Sequence, residues 1–237
     1  MDFDTDLKRD ESLWKAYKPT SVREKDGDIL VEVPFQKQQL ANDMAPDTDV
    51  PQETQTLVIR QYEPGILRLF MGCGGEQPSD TSEMLQMSAR VKRLPLKAEF
   101  VDDQWIITDG AGVRRAVIDR WSELLPDPQE TLDMRLYPDG KHEVRLAAYD
   151  HFSPPRYDAL PLAYCKLNGR RERATLSFEC KLNECFAGTG ERFGKMDLSG
   201  QTFFLKNQDG QGVNNRRTYK NIPFYISSRM YGVFYHT

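Results

Sequence analysis

A chain of 237 residues with net charge −4, 39% apolar and 29% charged residues has the balance of a globular protein and room for one large domain or two small ones. That balance excludes a disordered or fibrous chain. The negative charge argues against nucleic acid as the main partner, and no apolar run approaches the roughly twenty residues that a membrane-spanning helix needs.

Residues 1–20 are polar and expected to fray, and a β-sandwich is expected over 21–237. Short strand signals dominate the chain. Val22–Lys25 and Ile29–Val33 flank Asp26-Gly27, a two-residue hairpin turn. A polar stretch with Pro34, Pro46 and Pro51 reads as a long loop. Thr56–Gln61 and Ile66–Met71 flank Glu63-Pro64-Gly65. Ser82–Arg90 is the one place for a short helix. Ala98–Val101, Trp105–Thr108 and Arg114–Ile118 form a meander, and Leu132–Tyr137 and His142–Ala148 flank Asp139-Gly140.

Pro154 and Pro155 mark a loop between two blocks of strands. Leu162–Leu167 and Ala174–Leu182 then pair around Asn168-Gly169, and Thr202–Lys206, Ile222–Ser227 and Val233–His236 close the chain. So many short strands with Gly, Asp and Pro turns predict an all-β protein, a large two-sheet antiparallel sandwich. The final strand runs to Thr237 with no polar tail, an expectation that the chain is part of something longer.

Charge is uneven. Acidic residues crowd the first fifty positions, and Arg170, Arg171, Arg173, Arg216 and Arg217 follow Cys165. Solvated faces are the plain reading and an inter-domain contact the sharper one. Cys73, Cys165, Cys180 and Cys185 form no C-x-x-C pair, and three histidines lack metal spacing, so no zinc site is expected and buried free thiols are. The N-terminus as given has no secretory signal, which makes the cytoplasm the expected compartment, or the periplasm or exterior if a signal peptide has been removed.

Gly188-Thr189-Gly190-Glu191-Arg192-Phe193-Gly194 invites comparison with a dinucleotide loop. That fingerprint needs a glycine where Phe193 stands, and a helix after it. A tight loop with glycines at positive φ fits better, with Glu191 and Arg192 pairing with each other or with nearby backbone. The segment from Asn207-Gln208-Asp209-Gly210 to Arg217 gathers Asn207, Gln208, Asp209, Asn214 and Asn215. Planar amides and carboxylates suit sugar hydroxyls, because each makes paired hydrogen bonds. An ordinary Asp-Gly turn is the alternative. Most of the aromatics near the end suit a core, and exposed ones suit a sugar ring or a neighbouring domain.

Four elements fall in order over Phe186–Thr237: Gly190-Glu191-Arg192-Phe193, Asn207-Gln208-Asp209-Gly210, Tyr219-Lys220-Asn221-Ile222-Pro223-Phe224-Tyr225 and Tyr231-Gly232-Val233-Phe234. Together they resemble the N-terminal domain of glycoside hydrolase family 31, which contains α-glucosidases and α-xylosidases. The second and third look more like the bacterial α-xylosidase branch than the animal maltase branch.

The resemblance implies a β supersandwich similar to galactose mutarotase, ahead of a (β/α)8 barrel that carries both catalytic aspartates. It implies a retaining mechanism without metal or organic cofactor. It also implies that the loop around Asp209 is lent to the substrate pocket, with Asp209 binding an α-linked glycoside and Glu191 and Arg192 structural. Nothing here resembles the barrel's nucleophile motif. The only Asp-Met step, Asp133-Met134, runs on into Arg135. The chain alone is therefore expected to be inactive, and its uncovered barrel-facing surface is expected to self-associate.

Two other classes have their own requirements. A stand-alone carbohydrate-binding module needs an exposed aromatic platform. A sugar epimerase needs an acid and a base across a cleft, for which His142, His151 and His236 are the available histidines.

Overall fold

The computed structural model describes residues 11–38, 51–72, 78–80, 91–120, 132–146, 161–192, 194–203, 205–207, 218 and 220–236. Asp209, His151, Cys73, the candidate helix Ser82–Arg90 and the Pro154-Pro155 loop lie outside these residues. The chain divides into two compact units, Met1–Glu179 and Cys180–Thr237.

The described part of the first unit is all β and antiparallel. Its larger sheet has eight strands: β1 (Glu11–Ala16), β2 (Ser21–Lys25), β3 (Asp28–Lys37), β4 (Gln52–Tyr62), β5 (Ile66–Phe70), β6 (Arg93–Leu94), β12 (Leu162–Leu167) and β13 (Arg170–Leu176). The path runs β13-β12-β1-β3-β4-β5, with β2 on β3 and β6 on β4. A second sheet of five strands joins the predicted three-strand meander, β7 (Leu96–Val101), β8 (Gln104–Asp109) and β9 (Arg114–Asp119), to the pair expected around Asp139-Gly140, β10 (Asp133–Leu136) and β11 (Val144–Arg145), a union the sequence reading did not make.

The turn chemistry read from sequence holds. Asp26 and Gly27 have φ of 53° and 84°, and Asn168 and Gly169 have 51° and 77°. Two consecutive positive φ values give a hairpin turn whose twist matches the strands it joins. The core lies between strands with covered faces. Ile29, Val31, Val33 and Phe35 alternate along β3 with no exposure, and Ile59, opposite Ile29, is equally closed.

Several expectations need correction. Glu11–Ala16, inside the segment expected to fray, is β1. It pairs with both β12 and β3, and Trp14 stacks on Tyr164. Pro34, assigned to a loop, sits within β3. Its carbonyl accepts from Tyr17 N at 2.8 Å, on the side where β2 has ended and β1 begins, so the missing N–H falls at a gap in the ladder.

The basic stretch is not simply solvated. The Arg173 guanidinium grips Glu11, whose side chain is buried, at 2.8 Å. Strand β13 starts directly after its two-residue turn, four residues earlier than expected. Thr202–Lys206 contains no strand among its described residues. Cys165 is buried as expected, but Cys180 and Cys185 are exposed.

Among the described residues the second unit holds one three-stranded antiparallel sheet, β14 (Phe186–Gly190), β15 (Asn221–Ser227) and β16 (Gly232–Phe234).

Candidate functional site

The described residues of the family-like motifs fall on this small sheet or beside it. Gly188–Gly190, the start of the segment expected as a tight loop, is the end of strand β14, with a bulge between Gly188 and Gly190. Close approach explains both glycines. A Cβ on Gly190 would lie 1.9 Å from the Lys220 carbonyl oxygen, and one on Gly188 would lie 2.6 Å from that of Phe224. The bulge lets the chain past Gly190 close on the residues that precede β15. Glu191 N donates to Lys220 O at 3.1 Å.

Asp209 itself is outside the described residues, but the residues bordering its segment are not. Asn207 and Thr218 form an isolated parallel bridge. Thr218 Oγ1 donates to Glu191 O at 2.6 Å and accepts from Lys220 N at 3.2 Å. Asn221 Nδ2 donates to Asn207 Oδ1 and to Thr218 O, both at 3.0 Å. Arg192 donates to Asn221 Oδ1, and through Nε to Thr189 Oγ1 at 2.9 Å. Its guanidinium lies 4.7 Å from the Phe203 ring centroid. Burial pulls the Arg192 pKa below its ordinary value.

Glu191 pairs with Lys220 Nζ at 2.8 Å, not with Arg192. Two charged residues expected to be structural thus sit in the frame around Asn207 and Thr218. Sequence reasoning did not single out Thr189, Thr218 or Asn221. A β-branched residue between two glycines, and an asparagine inside an otherwise apolar strand motif, were the available signals.

A buried carboxylate organises the opposite end of β15. Glu184, with no side-chain exposure, accepts from Lys181 N at 2.9 Å and from Ser227 Oγ, with Arg229 at 3.9 Å. Burial works to raise its pKa. The hydrogen bonds from Lys181, Ser227 and Tyr231 outweigh it and hold the carboxyl below the ordinary range. Its own burial, and after that the contact with Glu184, push the Tyr231 pKa up. Arg229 N, in turn, donates to Ser227 Oγ at 3.0 Å. Glu184 therefore fixes the turn from Ser227 to Tyr231 that delivers the last motif.

The two faces of the sheet differ. On one, Phe186 meets the Tyr225 ring edge-on at 5.6 Å and Tyr235 lies 6.3 Å from it. Burial raises the Tyr225 pKa. On the other, Ile222, Phe224 and Ile226 alternate along β15, with Phe234 opposite Phe224 and Gly232 opposite Ile226. The Phe224 ring folds over Gly232, where a Cβ would come within 2.8 Å of it. This face is open, with Ile222 52% and Ile226 51% exposed. A shallow depression next to it is lined by Ala187, Met196, Ile226 and Ser228.

Of the histidines weighed for acid–base chemistry, His142 is exposed and bonded to Asp139 three residues earlier. His236 stacks on Phe234.

Comparison with known proteins places these motifs. The family model described as the glycosyl hydrolase 31 N-terminal galactose mutarotase-like domain matches residues 56–237. An α-xylosidase of Lactiplantibacillus pentosus, XylQ, is 45% identical over 69 residues, which is 29% of this chain and 8% of that protein. An α-xylosidase of Emericella nidulans is 46% identical over 65 residues, 27% of this chain and 8% of that protein. Both matches span a small part of the relatives' length. Among solved structures, a Flavobacterium johnsoniae GH31 dextranase complexed with glucose aligns with a TM-score of 0.54 at 15% identity, covering 93% of this chain and 22% of that one. The same dextranase complexed with isomaltotriose gives 0.53. At that identity the likeness shows the fold, and with the family match it leads to one statement: the chain belongs to the family of glycosyl hydrolase 31 N-terminal galactose mutarotase-like domains.

Proposed function

We propose that this chain is the non-catalytic N-terminal domain of a retaining α-glycosidase, an α-xylosidase or α-glucosidase, whose catalytic (β/α)8 domain holds an α-linked glycoside. In this reading the segment between Asn207 and Thr218 reaches that glycoside. Asp209 supplies an acceptor-only carboxylate for sugar hydroxyls near the scissile bond. The observation that carries the reading is the 45% identity to an α-xylosidase, within a chain matched from residue 56 onward by the family model.

Chemistry supports a supporting role for Asp209. Retaining hydrolysis usually needs two carboxylates about 5–5.5 Å apart, one as nucleophile and one as acid/base. One carboxylate in a segment of amides binds and orients. No metal or organic cofactor is called for. The open apolar face of Ile222, Phe224, Ile226 and Phe234 has the character of a surface that packs against another domain. The catalytic domain is its proposed partner, and self-association is expected when that domain is not there.

Incubating the purified chain with aryl α-xylosides and α-glucosides tests the reading. It predicts no turnover, and measurable hydrolysis refutes it. Titration with xylose, isoprimeverose and maltose separates it from a stand-alone carbohydrate-binding module. Binding at millimolar strength or weaker fits a domain that supplies part of a pocket, and saturable micromolar binding fits the module.

A further inference from the structure

The tip of the β7–β8 hairpin carries groups that the first unit does not use. Phe100 and Trp105 face each other across the two strands, with ring centroids 5.0 Å apart and planes tilted by 49°. Trp105 stands opposite Ile118 of β9, which is closed to solvent, so this row of side chains starts in the core. It ends in the open, because β7 is the last strand of its sheet. Phe100 is 47% exposed and Trp105 is half-buried. The Trp105 indole N–H has no hydrogen-bond partner among the described residues, which leaves one donor beside the rings.

The turn beyond the pair is made of two aspartates. Asp102 and Asp103 have φ of 49° and 59°, left-handed values that Asn-Gly takes at lower cost. Asp103 is held in place. Its carbonyl accepts from Arg120 N at 2.9 Å, and its carboxylate lies 3.6 Å from the Arg120 guanidinium. Asp102 is exposed and has no such partner among the described residues, so its carboxylate is an open acceptor.

Size decides what the rings can take. At 47% exposure Phe100 offers on the order of 100 Å² of apolar surface, since an aromatic side chain has roughly 150–250 Å² in all. Val101, the exposed apolar neighbour, lies on the opposite face of the strand. A stable protein interface takes about 800 Å² from each partner. The patch is far too small for that and matches the face of one or two sugar rings. A pyranose presents apolar C–H groups that lie flat on an aromatic ring, and a rim of hydroxyls that donate to a carboxylate and accept from an N–H.

We propose that the β7–β8 hairpin tip is a second carbohydrate-binding site. An α-linked oligosaccharide stacks across Phe100 and Trp105, donates hydroxyls to Asp102 and accepts from the Trp105 indole. The two rings address successive sugar units, so a monosaccharide, which covers one ring, is held too weakly to register. The ligand class rests on the functional reading above, and the place of binding does not.

Titration of the isotopically labelled 237-residue chain with maltoheptaose tests the site, read at the Trp105 indole N–H and the amides of residues 99–105. Saturable shifts in the millimolar range are expected there, and none with methyl α-xyloside. Phe100→Leu keeps an apolar side chain opposite Trp105 and is expected to weaken binding about fivefold, the scale of a lost ring contact, while Phe100→Tyr retains it. Asp102→Asn suits the left-handed turn and is expected to weaken binding about threefold, through loss of a charged acceptor. Unchanged amides along β8 and β9 show that the hairpin is intact in each variant. Where Phe100→Leu disturbs them, Asp102→Asn decides.

No shift at the hairpin tip with maltoheptaose overturns the site. So does equal affinity in wild type, Phe100→Leu and Asp102→Asn. The functional reading fails separately, by turnover of aryl α-glycosides, because nothing at the hairpin tip takes part in bond cleavage.

Discussion

Among the described residues of 1–179 the buried side chains are mostly apolar and the exposed ones mostly polar. Among those of 180–237 the buried side chains are mostly polar, and large apolar ones stand exposed beside the polar ones. Among the described residues Tyr231 is the only buried apolar side chain of the second unit, where Glu184, Thr218 and Ser227 are buried instead. Ile222, Phe224, Ile226, Phe234, Met196 and Met230 are exposed there. The first unit is held by Ile29, Ile59 and their neighbours, with ion pairs such as Asp28–Arg60 and Asp109–Arg115 sealed in at 2.7 Å. The second is held by a carboxylate, two asparagines, an arginine and glycines that allow close backbone contact. An element that buries polar groups and shows apolar ones is built around specified hydrogen bonds and an outward surface.

Four variants break or sharpen this contrast, and the largest effect belongs to the first unit. Ile59→Ala empties a fully closed site and is expected to cost about 3 kcal/mol, within the range for such truncations. The urea midpoint of the whole chain measures it, and a loss below about 1 kcal/mol would mean that this core is loosely packed.

Gly190→Ala comes next, at about 2–3 kcal/mol, because the new methyl meets backbone atoms at a φ of 95°. The change should be local. Amide shifts are expected to move in β14 and β15 and to stay put in the meander. An unperturbed β15 would show that the β14–β15 approach is looser than described.

Glu184→Gln is expected to cost about 1–2 kcal/mol at neutral pH, through weakened charge-assisted hydrogen bonds to Lys181 N and Ser227 Oγ. It also carries a pH signature. The folded carboxyl lies below its ordinary value, so its stabilisation is complete above pH about 4.5 and is lost as pH falls through the folded pKa. Acid exchange of β15 amides should therefore rise more in wild type than in the variant. Equal acid sensitivity would remove Glu184 from the account.

The smallest effect on stability is expected for Ile222→Lys with Ile226→Lys, within about 0.5 kcal/mol each because both side chains already face water. Their effect should appear in light scattering instead, as reduced self-association. A wild-type chain that stays monomeric at high concentration would contradict the packing role of this face.

Much of the first unit was legible in the sequence, because its signals are local. Asp26-Gly27 and Asn168-Gly169 fix hairpins through their own φ preferences, and the apolar, β-branched run Ile29–Val33 beside such a turn marks a strand. What escaped depends on partners far along the chain. Strand β1 owes its order to Tyr164 and Lys37, and Pro34 is tolerated because β1 and β2 change places beside it. The motifs of the second unit were readable as a resemblance, but their mechanics were not. That Arg192 serves Asn221, and that Glu184 anchors Ser227, follows only once β14, β15 and β16 are paired. Nothing local distinguishes a glycine that bends a loop from one that lets Lys220 approach.

The most direct test of the central claim is a titration of the isotopically labelled 237-residue chain with methyl α-xyloside, read amide by amide. The account predicts weak binding in the millimolar range, with shifts confined to the segment from Asn207 to Asn221 and largest at Asp209. Shifts centred on the first unit, or none in that segment at any concentration, would contradict it.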